Sequence, residues 1–326
     1  MVQLLQVHGS ENRFFILDQT QLKTQLTDAE LSSLAIEICD ENTGILNGAD
    51  GVLVINDPKD KNCLGQMRVI NADGSEAKMC GNGLRTVSRY LSEKFQQDSF
   101  SVETIETNLH VEKYPDLANN VPAFSVEISP ISFKAEDLPF KYNDMSEMIN
   151  QKIPEFLPGY TFTAIAVPNP HLISFVDEVD PEDLGSLGKY LNDPNPYFPE
   201  GVNVSFASIL DNNKLFVQTY ERGVGFTNAC GTGMSATSLA FALLHPADFD
   251  ENKEINVRNP GGMVKTKITL NDPKETSQIH LIGNATFTHT IELEEKDLHQ
   301  LNFDDIKVED TGEENDYQEF VKQVVK

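Results

Sequence analysis

Cys80 and Cys230 occupy near-copies of one short segment. The first copy reads Met79-Cys80-Gly81-Asn82-Gly83 and the second reads Ala229-Cys230-Gly231-Thr232-Gly233, at a spacing of 230 − 80 = 150 residues. An apolar helical pattern follows each copy. A duplicated cysteine at the start of a duplicated helix suggests two thiols that face one another across a shared site. Such a pair is suited to moving a proton between the two faces of one carbon atom.

The glycines around each cysteine let the backbone turn sharply and expose its amide groups. The first N–H groups of the following helix have no partner within the helix, and they carry the positive end of its dipole. A carboxylate docks well at such a place, and a cysteine there has its pKa lowered. Thr232 adds a hydroxyl at the start of the second helix. We therefore expect each turn to hold an anionic group beside a reactive thiol.

Other uses of paired cysteines fit this sequence less well. Zinc sites usually draw on C-x-x-C pairs or clustered histidines, and dithiol redox sites also usually use C-x-x-C. This chain has no C-x-x-C, its seven histidines are scattered, and it has no G-x-x-x-x-G-K-[ST] phosphate loop. Cys39 falls on the apolar stripe of a predicted helix and Cys63 in a predicted loop, so neither is a catalytic candidate. A non-catalytic thiol or metal-binding protein stays open as an alternative.

The elements around the cysteines are duplicated as well. With the same offset of 150 residues, Asp50–Val54 aligns with Glu200–Val204, and Asn71 aligns with Glu221. A period this long is typical of duplicated domains rather than of a solenoid. The sequence therefore predicts two similar halves joined head to tail.

Short strand-like runs dominate both halves and helices are fewer, and together they predict an α/β (α+β) fold. A helix is predicted from Asp28 to Cys39, because Thr27 and Glu30 form a capping box before an apolar stripe. The helix after Cys80 is expected to bury Leu84, Val87, Tyr90, Leu91 and Phe95. Alternating or continuous apolar runs predict strands at Phe14–Leu17, Val52–Ile55, Met67–Ile70, Phe100–Thr104, Ala123–Ile128, Val202–Phe206, Leu215–Tyr220 and Met263–Leu270.

The composition narrows the class of partner. Of 326 residues, 25 are basic and 51 acidic, for a formal charge of −26, so the surface repels phosphate backbones and nucleic acid is not an expected partner. No run of about 18 apolar residues is present, and the N-terminus lacks the pattern of a secretory signal. Four scattered cysteines favour free thiols in a reducing, cytoplasmic setting.

Taken together, the two cysteine blocks resemble the active-site blocks of the diaminopimelate epimerase family, and the resemblance covers roughly residues 1–290. The paired blocks are its most specific part. The matching segments in chain order are His8-Gly9 with Asn12, Asn71–Glu76, Met79–Arg85, Asn169–His171, Pro199–Val204, Glu221–Thr227, Ala229–Gly233 and Pro260–Gly262.

The resemblance implies a reaction and a set of roles. The family interconverts LL- and meso-2,6-diaminoheptanedioate without a cofactor, in the synthesis of lysine and peptidoglycan precursors. By position, Cys80 and Cys230 would be the acid–base pair, and the amides at Gly81-Asn82 and Gly231-Thr232 would hold the α-carboxylate. His171 and Glu221 would tune the thiols. The side chains that would bind the substrate are Asn12, Asn71, Asn169, Asn203, Glu221 and Arg222.

The resemblance also implies an architecture. We expect two pseudo-symmetric domains, each a curved mixed sheet around a central helix, with the active site in the cleft between them. Residues 1–120 would form the first domain, completed by a strand near 280–290, and residues 121–279 the second. Residues 292–326 would form an acidic extension that ends in a helix at Tyr317–Val325. A homodimer without metal is expected.

Two departures from the family pattern concern substrate contacts. The N-terminal loop reads Gly9-Ser10-Glu11-Asn12-Arg13, where the family has a second glycine before the asparagine, and the segment at 44–51 is longer than usual, with Gly51 in place of a substrate-binding side chain. The nearest enzyme alternative is a proline or hydroxyproline racemase, which also uses two cysteines. Glu221-Arg222 and Asn82 favour the diaminopimelate interpretation, because a proline-type substrate lacks a second amino-acid head.

Overall fold

The computed structural model describes residues 1–324 of the chain. The strands are β1 (Val2–Gly9), β2 (Asn12–Asp18), β3 (Gly51–Asn56), β4 (Cys63–Asn71), β5 (Glu76–Ala77), β6 (Ser99–Glu103), β7 (Asn108–Tyr114), β8 (Ala123–Glu127), β9 (Thr163–Ala166), β10 (Pro170–Phe175), β11 (Asn203–Asp211), β12 (Lys214–Glu221), β13 (Gly225–Thr227), β14 (Ile255–Asn259), β15 (Gly262–Thr269), β16 (Gln278–Asn284), β17 (Thr286–Leu293) and β18 (Lys307–Asp310). The helices are α1 (Asp28–Cys39), α2 (Gly81–Phe95), α3 (Pro181–Asn192), α4 (Gly231–Leu244), α5 (Glu295–Gln300) and α6 (Glu313–Val324).

The chain divides into two compact units. The first contains Met1–Val126 and Gly283–Gln323, and the second is built mainly from Glu127–Ile282. The acidic C-terminal stretch therefore belongs to the first unit. Its last helix, α6, begins at Glu313, four residues before the predicted start at Tyr317. The predicted end of that helix at Val325 lies outside the described residues.

The sheet of the first unit mixes parallel and antiparallel pairs. β1 and β2 are antiparallel, β2 and β3 parallel, β3 and β4 antiparallel, β4 and β6 parallel, and β6, β7 and β8 follow as antiparallel neighbours. On its other edge, β1 pairs with β17, and β17 pairs with β18. Helix α2 contacts β1, β2, β3, β4 and β7, so the sheet curves around it.

The second unit repeats the same pattern of pairing. β9 and β10 are antiparallel, β10 and β11 parallel, β11 and β12 antiparallel, β12 and β14 parallel, and β14, β15 and β16 are antiparallel neighbours. Helix α4 contacts β9, β10, β11, β12, β14 and β15. The prediction of two pseudo-symmetric α/β domains, each a mixed sheet around a central helix, is confirmed.

Local sequence explains where the helices begin. Thr27 and Glu30 form the predicted capping box, and α1 runs over the predicted residues. Asp180 caps α3 and Pro181 occupies its first turn, a start signal that the sequence analysis missed. Nearly every residue of α4 up to Ala242 is buried, as expected of a helix enclosed on all sides.

Three side chains differ from expectation. Phe95 is 47% exposed at the end of α2 rather than buried on its apolar face, because the helix extends past the sheet that covers its middle. Tyr90 is only partly buried, since its hydroxyl donates a hydrogen bond to Asp18. Cys63 is the first residue of β4 and is buried rather than lying in a loop. Within the described residues, no helix is long and apolar enough to cross a membrane.

Candidate active site

Cys80 is the N-cap residue of α2. Its backbone is extended (φ −141°, ψ 109°), and its Sγ accepts a hydrogen bond from the Gly83 N–H at 3.3 Å. Gly81 and Asn82, which open the helix, are buried. Because the first amides of a helix have no partner within it and carry the positive end of its dipole, this turn is suited to an anion. The structure thus places the thiol and the anion-binding amides together, as the sequence predicts.

Asn12 brings an amide oxygen to the Cys80 thiol. The Sγ of Cys80 lies 3.7 Å from the Oδ1 of Asn12, and the Nδ2 of Asn82 donates to the same oxygen at 3.3 Å. On its other side, the Nδ2 of Asn12 donates to Asp50 at 2.6 Å. The amide of Asn12 is therefore held at both ends, with its oxygen towards the sulfur.

Arg85 and Asp50 support this arrangement, although the sequence analysis assigned neither to the site. The Nη2 of Arg85 donates to the Oδ1 of Asn82 and to the Oγ of Ser10, each at 3.1 Å. Arg85 is fully buried, and burial lowers its pKa to about 10, which leaves it a cation at neutral pH. The burial of its charge beside the cysteine turn has no signal in the sequence.

The glycine that replaces a substrate-binding side chain has a steric reason. A Cβ atom at Gly51 would lie 2.4 Å from the carbonyl oxygen of Ile70 on the neighbouring strand. Asp50, the residue before it, accepts hydrogen bonds from Asn12 and from the backbone of Arg13. Glycine at position 51 thus allows β3 to approach β4 closely, and the carboxylate beside Asn12 comes from Asp50.

Asn71 is the last residue of β4, and its Nδ2 donates to the Oγ of Ser75 across the turn that leads to β5. It holds the position in the first unit that Glu221, the last residue of β12, holds in the second. The pairing of Gly51 with Asn71 across β3 and β4 places Asn71 next to the strand end that carries Asp50.

Cys230 is the N-cap residue of α4 and is buried (6% exposed). Its Sγ lies 3.7 Å from the Oγ1 of Thr232. Burial raises the pKa of the Cys230 thiol well above its usual range, and the negative charge of Glu221 raises it further. The Gly233 amide and the Thr232 hydroxyl act in the opposite direction, but they do not overcome burial. The helix start therefore lowers the pKa of Cys230 as expected, but burial and the charge of Glu221 outweigh it and the net direction is upward.

A buried histidine, His171, is connected to Thr232 through Asn169. The Nε2 of His171 lies 3.2 Å from the Oδ1 of Asn169, and the Nδ2 of Asn169 donates to the Oγ1 of Thr232 at 3.3 Å. Burial and the nearby charge of Arg222 lower the pKa of His171 to about 3, so the ring is neutral. Because Oδ1 only accepts, the proton of the neutral ring is on Nε2.

Asn203 and Arg222 join β11 to the end of β12. The Oδ1 of Asn203 accepts a hydrogen bond from the backbone N–H of Arg222 at 2.9 Å, and its Nδ2 donates to the carbonyl of Pro170. The guanidinium of Arg222 is exposed and donates to the carbonyl of Glu200. Glu221 accepts a hydrogen bond from the Thr227 hydroxyl at 2.5 Å. Asn203 thus fixes the backbone that carries Glu221 and Arg222.

Each unit therefore contains one cysteine at a helix start and one polar side chain beside its sulfur, Asn12 in the first unit and Thr232 in the second. A buried nitrogen-bearing side chain is connected to each site through an asparagine: cationic Arg85 through Asn82, and neutral His171 through Asn169. This equipment is suited to proton transfer at a carbon next to a carboxylate. Among the described residues, no group of three or more His, Cys, Asp or Glu side chains is placed to hold a metal ion.

Comparison with known proteins independently supports the resemblance to the diaminopimelate epimerase family. A sequence profile of the family described as diaminopimelate epimerase matches residues 4–123 and 163–288. The chain is 50% identical to the diaminopimelate epimerase of Lactiplantibacillus plantarum, over 100% of this chain and 99% of the relative. It is 49% identical to that of Enterococcus faecalis, over 98% of each chain.

Solved structures show the same fold at low sequence identity. A phenazine biosynthesis protein of the PhzF family from Bacillus anthracis matches with a TM-score of 0.61 at 16% identity, over 90% of this chain and 99% of the other. A probable proline racemase from Agrobacterium radiobacter matches with a TM-score of 0.59 at 13% identity, over 92% and 96% of the two chains.

Proposed function

The chain belongs to the diaminopimelate epimerase family, and from this we propose that it interconverts LL- and meso-2,6-diaminoheptanedioate by moving one proton at an α-carbon. The observation that carries the mechanism is the equivalent placement of two cysteines. Cys80 caps α2 of the first unit, and Cys230 caps α4 of the second. The other two cysteines lie elsewhere in the described residues, Cys39 at the end of α1 and Cys63 at the start of β4.

The helix starts address the main difficulty of the reaction. The α-proton of an amino acid is very weakly acidic, so the negative charge that develops when it leaves has to be stabilised. The first amides of the two helices, at Gly81-Asn82 and Gly231-Thr232, would bind the α-carboxylate and supply fixed positive potential. Preorganised donors of this kind stabilise the transition state at no cost of reorganisation.

One proton is shared between the two sulfurs. One cysteine has to be a thiolate that removes the proton, while the other is a thiol that delivers a proton to the opposite face of the carbon. Burial and the charge of Glu221 raise the pKa of Cys230, which supports the thiol role for Cys230 at the start of one direction. The roles exchange in the reverse direction, and the titrations belong to the pair.

The second amino-acid head of the substrate would need a polar clamp. We propose that Glu221 and Arg222 contribute charges to it, and the exposure of Arg222 is compatible with that role. His171 and Glu221 would tune the cysteine, since one provides a neutral buried base and the other a negative charge. The remaining proposed binding side chains are Asn12, Asn71, Asn169 and Asn203.

Family membership also motivates a proposal for the pathway, the location in the cell and the oligomeric state. We propose a cytoplasmic homodimer that serves lysine and peptidoglycan precursor synthesis and needs no cofactor, because the thiols themselves act as acid and base. The rate should be unchanged by hydroxylamine, which captures pyridoxal groups, and by a chelator. Sedimentation of the purified protein should give about twice the mass of one chain.

The decisive experiment follows deuterium. In deuterated water, the purified protein should convert LL-diaminopimelate to the meso form with deuterium at one α-carbon. Cys80→Ala and Cys230→Ala should each lower this rate by roughly 10²–10⁴-fold, the usual contribution of an acid–base group. Cys63→Ala, which alters a buried cysteine outside the site, is the matched control and should retain the rate.

Two outcomes would overturn parts of this proposal. Undiminished epimerisation by either active-site variant would refute the two-base mechanism. Exchange with proline and none with diaminopimelate would refute the substrate and favour a proline-type racemase.

A further inference from the structure

The turn between β1 and β2 has an unfavourable backbone. Ser10 and Glu11 have φ values of 55° and 65°, and Gly9 pairs with Asn12 across the hairpin. A two-residue hairpin with positive φ at both positions strongly prefers Asn-Gly, because side chains larger than glycine crowd the backbone there. Such a conformation persists only where surrounding contacts hold it.

Helix α6 supplies contacts to this turn. The ring of Tyr317, which is 1% exposed, packs edge-on against the ring of His8 with centroids 4.6 Å apart, and its hydroxyl is hydrogen-bonded to the side chain of Ser10. The Nε2 of Gln318 donates to the carboxylate of Glu11 at 3.2 Å. The carboxylate of Glu314 lies 2.9 Å from the Nε2 of His8. Three side chains of one helix thus touch three residues in or beside the turn.

Helix α6 is itself anchored on the first unit. Both carboxylate oxygens of Glu313 accept hydrogen bonds from the guanidinium of Arg89, at 2.6 and 2.7 Å, and one of them also accepts from the backbone of Phe287. Arg89 belongs to α2, the helix that Cys80 caps. The same helix therefore carries both the cysteine and the attachment point of α6.

The turn between β1 and β2 is connected to Cys80 through the residue that follows it. Asn12 follows Glu11, and its Oδ1 lies 3.7 Å from the Cys80 sulfur. Ser10 is bound through its backbone to Asn284 and through its hydroxyl to Arg85. A change in the backbone of the turn would therefore move the Asn12 oxygen relative to the sulfur.

We propose that α6 is a positioning element for the acid–base site: Glu314, Tyr317 and Gln318 hold the Ser10-Glu11 turn in its left-handed conformation and so keep the Asn12 oxygen on the Cys80 thiol. The helix lies beyond the residues that match the family profile, which end at 288. Contacts from the C-terminal extension thus stabilise a positive-φ turn that a second glycine would adopt without strain. This role rests on the proposed function of Cys80.

The first experiment compares single variants of the full-length protein. Tyr317→Leu keeps apolar bulk in the buried position but removes the ring edge and the hydroxyl, and Gln318→Ala removes the contact with Glu11. We expect kcat to fall by roughly tenfold in Tyr317→Leu, because loss of a positioned hydrogen bond changes a barrier by about that factor. Lys322→Ala, on the exposed side of α6, is the matched control and should retain the wild-type kcat.

Rescue separates positioning from general destabilisation. Glu11→Gly relaxes the turn, because glycine adopts positive φ without strain. The double variant Tyr317→Leu/Glu11→Gly should regain most of the lost kcat, although it has fewer contacts with α6 than either single variant. A double variant that stays as slow as Tyr317→Leu would overturn the proposal.

A double-mutant cycle with Asn12 tests whether α6 affects Cys80 through the side chain of Asn12. If α6 acts through Asn12, Tyr317→Leu should have little further effect on kcat/KM in an Asn12→Ala background. Full additivity of the two effects would overturn the route through Asn12.

A readout without turnover distinguishes this proposal from the proposed function. The rate of alkylation by iodoacetamide, measured on the separate cysteine peptides by mass spectrometry, should change at Cys80 and not at Cys230 in Tyr317→Leu. Wild-type protein without epimerase activity would refute the proposed function while leaving this test intact. An unchanged alkylation rate at Cys80 would refute the positioning role alone.

Discussion

At the scale of single residues, the two cysteines have unlike surroundings. Behind Cys80, Asn12 and Asn82 lead to Arg85, a buried side chain that keeps its positive charge. Behind Cys230, a corresponding chain of side chains leads to a histidine whose pKa of about 3 keeps it neutral. The duplication therefore preserves the position of the thiol but not the charge that faces it. The two thiols therefore have different electrostatic surroundings although they occupy equivalent positions.

Glu221 allows this difference to be tested. Its negative charge raises the pKa of Cys230, so Glu221→Gln should lower that pKa, because the thiolate no longer faces a carboxylate. The pH midpoint for alkylation of Cys230 by iodoacetamide, measured on its peptide, should move to lower pH. Glu251→Gln, an exposed change in the same unit, should leave the midpoint in place. An unmoved midpoint in Glu221→Gln would show that burial alone sets the pKa.

At the scale of elements, the features that could be predicted were the helix starts and ends that residues close together in the chain determine. The bounds of α1 were predictable because Thr27 and Glu30 lie three residues apart at its start. The helix starts at Cys80 and Cys230 were predictable because glycine, a polar residue and glycine precede an apolar stripe. The start of α3 also has a local signal, because Asp180 caps the helix and Pro181 occupies its first turn.

Contacts between distant parts of the chain were not predictable in the same way. Gln318 and Glu11 are 307 residues apart, and Arg89 and Glu313 are 224 apart, so no local pattern relates them. The burial of Arg85 also depends on distant residues. A Cβ at Gly283 would lie 2.4 Å from its guanidinium, so the helix accommodates the arginine only because a glycine arrives there from the far end of the chain. The sequence alone therefore indicated the thiols and the asparagines near them, but not the burial of Arg85 or the contacts of α6.

The capping box of α1 predicts a specific loss of stability. Thr27→Ala removes the side-chain acceptor for the Glu30 N–H and should destabilise the protein by about 1 kcal/mol, the usual cost of losing an N-cap. Ser33→Ala, at an exposed position inside the same helix, should be neutral or slightly stabilising because alanine has the higher helix propensity. Urea unfolding of both variants checks the difference. Equal midpoints would show that the box contributes nothing measurable.

At the scale of the whole molecule, the dominant electrostatic feature is the excess of acidic side chains. Fifty-one acidic and 25 basic residues leave a net charge of −26. Several of the basic side chains already pair with carboxylates, such as Arg68 with Glu76 and Lys94 with Asp18. Most of the excess charge is therefore on the surface without compensation, and self-repulsion opposes the compact state.

Salt should consequently stabilise the protein. Raising NaCl from about 20 mM to about 500 mM shortens the range of charge repulsion to a few ångströms and should raise Tm by several degrees. Equal concentrations of KCl should have the same effect if screening is the cause. A Tm that falls with salt would show that ion pairs such as that of Arg89 with Glu313 outweigh the general repulsion.

The pairing of β1 with β17 has a consequence for the order of events during synthesis. Leu4 lies opposite Ile291, so β1 is synthesised long before the strand with which it pairs. The second unit is almost continuous in sequence, and all of its strands have emerged before the partner of β1 appears. Translation therefore delivers the N-terminal half first, yet that half is the later of the two to close its sheet. Until β17 has left the ribosome, the nascent chain presents the open edge of β1, and an unpaired strand edge of this kind is prone to wrong pairing.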